Sequence, residues 1–442
     1  MKKVILIVLF SILPTFLYAQ VLTDANTSYK TYDLSTCLNI AIENNYDLQS
    51  SKAYIDASRA GLLRAFGSYL PSLNANMGYS RHLNTTDNDF TNSNPNSFNM
   101  GSSLGWEIFD GFGRESEYSI AQHNLRSSRF SYSNTIDFIT YQVYANYINV
   151  IRNAQIVKIR RENIKSGEKE LEMIRARFEA GIIPIANVYS QEADLGNRES
   201  ALIQAENNFE ISKATLLIIM GMDPTIPCHF PEASITNEVS AEEVGQFYLQ
   251  AGSFQDATTK ALEARNDYLA ILEDVSSAED NIKSANSLYS PTVNANLNWN
   301  WMNTELNNFQ NNGNAYGGLT INIPIFNKFS VRSSVENAKL NLINKKVSKG
   351  KLELSIKQNL QTAFLRLKSA EKMLDVTKKT QKFAEQNQLS VKELFKLGAA
   401  NITDLSVANM QFLTAKINRV DAVYGYIAAQ KEVLYHMGEL RK

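Results

Sequence analysis

Tyr69-Leu70-Pro71-Ser72-Leu73-Asn74-Ala75-Asn76 returns 220 residues later as Tyr289-Ser290-Pro291-Thr292-Val293-Asn294-Ala295-Asn296. Ala41, Glu43 and Asp47 match Ala261, Glu263 and Asp267 at the same shift. Past the octapeptide, Ile108-Phe109-Asp110 answers to Ile325-Phe326-Asn327, and Met220-Gly221 to Met437-Gly438, now 217 residues apart. One three-residue difference between about residues 77 and 107 explains both offsets. A period this long marks a duplicated domain and not a solenoid of short units. The expected units are 20–223 and 254–442, joined by a linker over 224–253 that holds Pro224, Pro227 and Pro231.

Each copy has the same internal order. A helical stretch, about 34–69 and 255–289, stops at Pro71 or Pro291, since proline drives its predecessor out of the α region. Two alternating segments follow, expected as strands over 72–81 and 98–109 in copy one and over 292–301 and 316–326 in copy two. A very long helical pattern comes next, about 113–180 and 330–397, with no proline inside it. At 1.5 Å per residue such a helix reaches on the order of 100 Å, too long for a globule of this mass, and reads as a coiled-coil rod. Shorter helices are expected over 185–220 and 402–438. There Leu195, Leu202, Phe209 and Leu216 recur every seven residues, as do Phe412, Arg419, Tyr426 and Val433. Small residues (Ala205 and Ser212; Ala415, Ala422 and Ala429) sit between them, which suits close packing in a left-handed supercoil.

The alternating segments have two distinct faces. Leu73, Ala75, Met77 and Tyr79 alternate with Asn74, Asn76, Gly78 and Ser80; Val293, Ala295, Leu297, Trp299 and Trp301 alternate with four asparagines. Period two puts each set on its own side of a sheet. Runs of about 10 residues suffice to cross an outer membrane when tilted. The strand-end aromatics Tyr79, Trp106, Trp299 and Trp301 suit a membrane-interface girdle, and the Asn-rich stretches 84–99 and 303–314 suit water. A membrane barrel needs about eight strands to close, and an open edge in lipid leaves backbone groups unpaired. Four strands per chain therefore imply a barrel shared between copies.

Lys2 and Lys3, the apolar run Val4–Leu13 and Ala19 form the pattern of an export signal over 1–19. Its removal takes the net charge from -1 to -3. After it no apolar run approaches the ~20 residues of a membrane helix. The charge balance gives no reason to bind nucleic acid. Two cysteines, Cys37 and Cys228, exclude a disulfide-dense scaffold or a thiolate-only zinc site. His82, His123, His229 and His436 show no ligand spacing, and no nucleotide or nucleophile-elbow motif occurs, so no catalytic site, metal or cofactor is expected.

The order of elements resembles the TolC-like outer membrane efflux proteins over essentially the whole mature chain. The likeness is carried by the duplicated octapeptides, the strand exits Ile108-Phe109-Asp110-Gly111 and Pro324-Ile325-Phe326-Asn327, and the turns Arg177–Gly181 and Leu394–Gly398. It implies a mainly α chain with a β-barrel part, assembled as a homotrimer with a 12-stranded outer-membrane barrel continuing into a periplasmic helical barrel. It also implies passive export in a tripartite efflux or type I secretion system. The partners would be a periplasmic adaptor, an inner-membrane pump or ABC exporter, and outer-membrane lipid. By the same resemblance, the tips Gly181, Ile182, Ile183, Pro184 and Gly398, Ala399, Ala400, Asn401 meet the adaptor. Asp404 matches a pore carboxylate, and Asn187 lies at the aperture. The latch positions of some relatives carry Asn187, Ala400 and Phe395 here, and a second acidic pore position carries Val407, so closure must use other contacts. Asp404, three residues after Asn401, also suits a helix cap. The rival reading is a soluble periplasmic coiled-coil adaptor or scaffold.

Overall fold

A computed structural model describes residues 30–81, 83 and 95–441; the expected signal over 1–19 and most of the 84–99 loop lie outside the described residues. The first copy comprises β1 (Lys30–Thr31), α1 (Leu34–Asn44), α2 (Tyr46–Gly67), β2 (Ser72–Arg81), β3 (Asn96–Phe109), α3 (Gly113–Glu179) and α4 (Ile185–Ile219). The connection holds β4 (Cys228–His229), a 3-10 turn at Glu232–Ser234 and α5 (Ala241–Ala251). The second copy comprises α6 (Phe254–Ala264), α7 (Asn266–Ser287), β5 (Thr292–Asn303), β6 (Gly313–Asn322), α8 (Ser330–Lys396) and α9 (Ile402–Met437).

Three differences from the sequence reading have local causes. The leading helical stretch of each copy is two helices. Asn45 leaves the helical region (φ -63, ψ 130), and its side chain accepts from the amides of Asp47 and Leu48, capping α2. A short amide that satisfies backbone donors ends one helix and starts the next; Arg265 (ψ 124) marks the same break in copy two. The strand expected over 316–326 runs Gly313–Asn322 instead. Gly313 already faces Trp301 across the hairpin, while Pro324 has no amide to extend the ladder. The stretch 224–253 is more than a linker. Ser240 and Glu243 form a capping box, and the helix they start buries Phe247 and Ala251 against the second copy's core.

The four long strands form one antiparallel sheet in the order β2-β3-β5-β6, so the copies meet at the central pair. Register keeps like faces together: Leu73 faces Leu104 and Leu104 faces Leu297, while Glu107 faces Asn294 and Asn298 faces Tyr316. Below the sheet the long helices stand side by side. Near the strands the row is α2, α3, α7, α8; towards the far end it is α4, α3, α9, α8. The expected seam is largely enclosed, with Ala205, Ser212, Leu216, Ala415, Ala422, Tyr426, Ala429 and Val433 all buried. Two larger cores lie mid-length, one around Tyr147, Ile151 and Leu217, the other around Leu360, Leu367 and Tyr426.

The row has two open sides. On one run β2, α2 and α4; on the other run β6 and α8. Both sides expose apolar side chains: Tyr54, Leu63, Ile203 and Ile218 on the first, Ile343, Leu354, Val376 and Phe383 on the second. The charges differ too. α8 carries fifteen Lys and Arg against six Asp and Glu, whereas α4 carries five acidic residues against two basic.

Candidate functional site

The two helix–turn–helix tips are built alike. After α3, Gly181 takes φ 71, and the amides of Gly181 and Ile182 bond back to the carbonyls of Phe178 and Arg177 at 2.8 and 2.9 Å. After α8, Gly398 takes φ 78, and Ala399 N bonds to Leu394 O at 2.9 Å. A Cβ at either glycine would meet nothing within 4 Å, so the left-handed backbone and not space calls for glycine. Pro184 then starts α4 without a side-chain cap. Asn401 starts α9 with one: its Oδ1 accepts from Asp404 N at 2.9 Å, and Asp404 Oδ2 accepts from Asn401 N at 3.0 Å. Asp404 therefore caps α9. It is also exposed, on a line with Val407, Gln411, Thr414 and Asn418. Three- and four-residue spacing puts that line on one helix face, away from Tyr424, whose hydroxyl donates to Asn237 in the inter-copy connection. Asn187 is half-buried, its amide bonding to Pro184 O at 3.1 Å; among the described residues no hydrogen bond joins it to Asp404.

The tips are tied to each other at two levels. At the lower, Phe395 is 4% exposed within a cluster of Leu171, Ile174, Val188 and Leu405. The Arg177 guanidinium stands 4.8 Å from the Phe395 ring centroid, and its Nη2 donates to Lys396 O at 2.6 Å. Higher up, buried Arg198 donates to Asp194 at 2.7 Å, to Glu170 at 3.0 Å and to Asn163 O at 3.0 Å. Glu170 also accepts from Asn409 of α9 at 3.0 Å, so the node spans both hairpins. Gly167 makes room for it, because a Cβ there would lie 3.0 Å from Arg198 Nη1. Sequence reading passed over this node; an arginine on a seam position of α4 and an isolated glycine in the facing rod α3 were the available signal. Ile182 and Leu397 stay exposed at the extreme ends, while Ile183 and Ala400 pack into the tip cluster.

At the other end, Trp106 is part-exposed, and its Nε1 donates to Tyr69 O at 3.1 Å near the helix side of the sheet. Tyr79 is exposed and Trp299 half-buried near the loop side. Trp301 departs from the girdle reading. It is 1% exposed, stacked on Phe309 at 4.6 Å, with Nε1 donating to Asn308 O at 3.4 Å, because the hairpin loop folds back over it. Cys37 and Cys228 are both buried, free thiols in the core around Tyr147, and the Cys37 thiol donates to Tyr32 O at 3.9 Å.

A four-stranded sheet with one apolar and one asparagine-rich face, carried on helices of 67 residues, is the architecture of an outer-membrane channel protein. The family model described as outer membrane efflux protein matches residues 37–222 and 257–439, and the chain belongs to that family. It is an outer-membrane efflux channel protein with a large periplasmic helical part, in a family of channels and not of enzymes. The chain is 20% identical over 414 residues to the outer membrane protein TolC of Escherichia coli (strain K12), covering 90% of this chain and 80% of TolC. To TolC of Vibrio cholerae it is 23% identical over 451 residues, covering 97% and 95%. The pyoverdine export outer membrane protein OpmQ of Pseudomonas aeruginosa matches at 25% over 197 residues, 43% of this chain and 41% of OpmQ. Among solved structures, CusC superposes with a TM-score of 0.79 at 15% identity over 92% of each chain. The Campylobacter jejuni CmeC channel gives 0.77 at 17%, over 92% of this chain and 86% of CmeC. These structural likenesses establish the fold.

Proposed function

We propose that copies of this chain join edge to edge as a homotrimer, closing a 12-stranded barrel and a continuous helical tunnel. The assembly is a passive exit duct fed by an inner-membrane pump or ABC exporter through a periplasmic adaptor. The observation that carries this reading is the pair of open sides, each exposing apolar side chains along its strand and helices. An edge that differs from its opposite edge builds a heterologous contact, and such contacts close into rings. The basic α8 side of one copy facing the acidic α4 side of the next favours that order. Three copies of four strands clear the minimum for a closed barrel, leaving the asparagine face around water and the apolar face towards lipid. Asp404 would then stand three times around the lower bore, where a ring of carboxylates holds cations and repels anions. The tip residues Gly181–Pro184 and Gly398–Asn401 meet the adaptor, with Ile182 and Leu397 as its apolar contacts. Closure rests on Phe395, Arg177 and the Glu170 node in place of the ionic latch of some relatives.

Membrane fractionation followed by native mass spectrometry in detergent tests the reading. Outer-membrane recovery and a three-copy mass are the expected results. A monomer in the detergent-free periplasmic extract would overturn it in favour of the soluble adaptor or scaffold.

A further inference from the structure

Among the described residues four non-glycine residues have positive φ, and three of them lie in the two turns that lead from strand to long helix: Phe112 (φ 68), Lys328 (φ 53) and Phe329 (φ 64). A bulky side chain in the left-handed region is strained, and such strain persists where the surrounding structure enforces it, most often at functional sites. Glycine would relieve it, yet both copies carry phenylalanine. In both, the strained ring meets the ring three residues earlier edge-on: Phe109 with Phe112 at 5.5 Å and 88°, Phe326 with Phe329 at 5.6 Å and 87°. In both, the strained ring is 66% exposed, and Phe326 is 72% exposed. Duplicated strain thus holds duplicated aromatic pairs out in the open.

Position decides what they meet. The bulge at Ile108 brings Phe109 opposite Val293, on the apolar row and away from the asparagines. The first pair therefore does not face the bore. Nor does the first pair await a second copy, because β3 lies between β2 and β5 of its own chain, and α3 between α2 and α7. Trp106, three residues before Phe109 and part-exposed, marks the same rim. Aromatic rings at such a level favour the boundary between headgroups and acyl chains.

We propose that Phe109–Phe112 and Phe326–Phe329 are lipid anchors at the periplasmic rim, and that the left-handed turns exist to aim them into the membrane boundary. This rests on the outer-membrane reading and fixes the depth at which the helical tunnel hangs. Two single-tryptophan chains test it in vesicles of phosphatidylcholine brominated either high or deep on the acyl chain. One keeps only Trp106; the other lacks the three native tryptophans and carries Phe112→Trp. The introduced indole is expected to be quenched about twofold more by high than by deep bromines, as suits an interfacial ring, and to be shielded from aqueous iodide. If Trp106 is quenched by neither lipid, the membrane reading fails. If Trp106 is quenched while the introduced indole answers only to iodide, the anchor inference alone is overturned. Phe112→Gly with Phe329→Gly guards against misfolding, since glycine accepts the same backbone. In the Trp106-only chain it should assemble and weaken quenching by high bromines; an unchanged profile would also overturn the anchor.

Discussion

Phe395→Ala is the perturbation that bears most directly on how the duct is kept shut. The ring is 4% exposed and packs with Leu171, Ile174, Val188 and Leu405. Truncating a buried phenylalanine costs about 3–5 kcal/mol. Loss of the Arg177 guanidinium from the ring face removes a further ~0.5–1 kcal/mol. Because the cluster sits at the far end of the rods, the cost falls on the docking of one hairpin against the other. If even 3 kcal/mol of it weighs on the closed state, the open-to-closed ratio rises by about a hundredfold, at a factor of ten per 1.4 kcal/mol. Arg177→Ala keeps the cluster but loses the ring contact and the bond to Lys396 O, and should open the duct less. Leu397→Ala, at an 82% exposed position, should change nothing. Single-channel recording in planar bilayers reads all three as the fraction of time spent in the large-conductance state. The heat stability of the assembly should stay close to that of the parent, since the cores around Tyr147 and Tyr426 are untouched. A Phe395→Ala channel with parental conductance and opening frequency would refute the reasoning.

Other consequences are as specific. Asp404→Asn preserves the capping geometry with Asn401 and should lower cation selectivity and block by multivalent cations; unchanged reversal potentials would leave Asp404 with its capping role alone. Glu170→Ala leaves Arg198 with Asp194 and the Asn163 carbonyl but removes a buried partner from it and from Asn409, and should cost about 1–3 kcal/mol, whereas Glu170→Met with Arg198→Leu should recover most of it; denaturation midpoints compare them, and equal losses would count against a buried pair. Burial, with Arg265 and Arg366 beside it, pushes the His436 pKa down to about 4. A histidine depressed in the folded state keeps its full stability above its free value of ~6.5 and loses it as pH falls towards 4, by at most about 3 kcal/mol for this half-buried ring. His436→Gln should flatten the melting temperature between those limits, and an equally steep acid decline in the variant would place the titration elsewhere.

Much of the architecture could be read in one dimension because its signals are periodic and written twice. Alternation of Leu73, Ala75 and Met77 with asparagines needs no partner to be recognised, and a proline-free run that begins after each strand pair reads as one rod. The features that escaped depend on what lies opposite. Asn45 ends a helix because its side-chain oxygen reaches forward to the first amides of α2, and a helical pattern looks continuous across it. The helix at Ala241–Ala251 was hidden behind three prolines, although Ser240 and Glu243 announce it. Trp301 belongs to the apolar row of β5 and is covered only by a loop that returns to it. Arg198 reads as a seam irregularity until Glu170, Asp194 and Gly167 are brought around it. At the tips, the glycines and the Asn401–Asp404 pair were visible as local chemistry. The Arg177–Phe395 contact was not, since it joins residues more than two hundred positions apart.

The two rods, α3 and α8, each run for 67 residues. Equal stature has an engineering consequence. Adding one residue to a single rod would lower its tip by 1.5 Å and swing it through roughly 100°, misaligning the paired ends. The span of such a conduit is therefore editable only in matched pairs and in whole heptads, so its reach towards a partner across the periplasm comes in steps of about 10 Å.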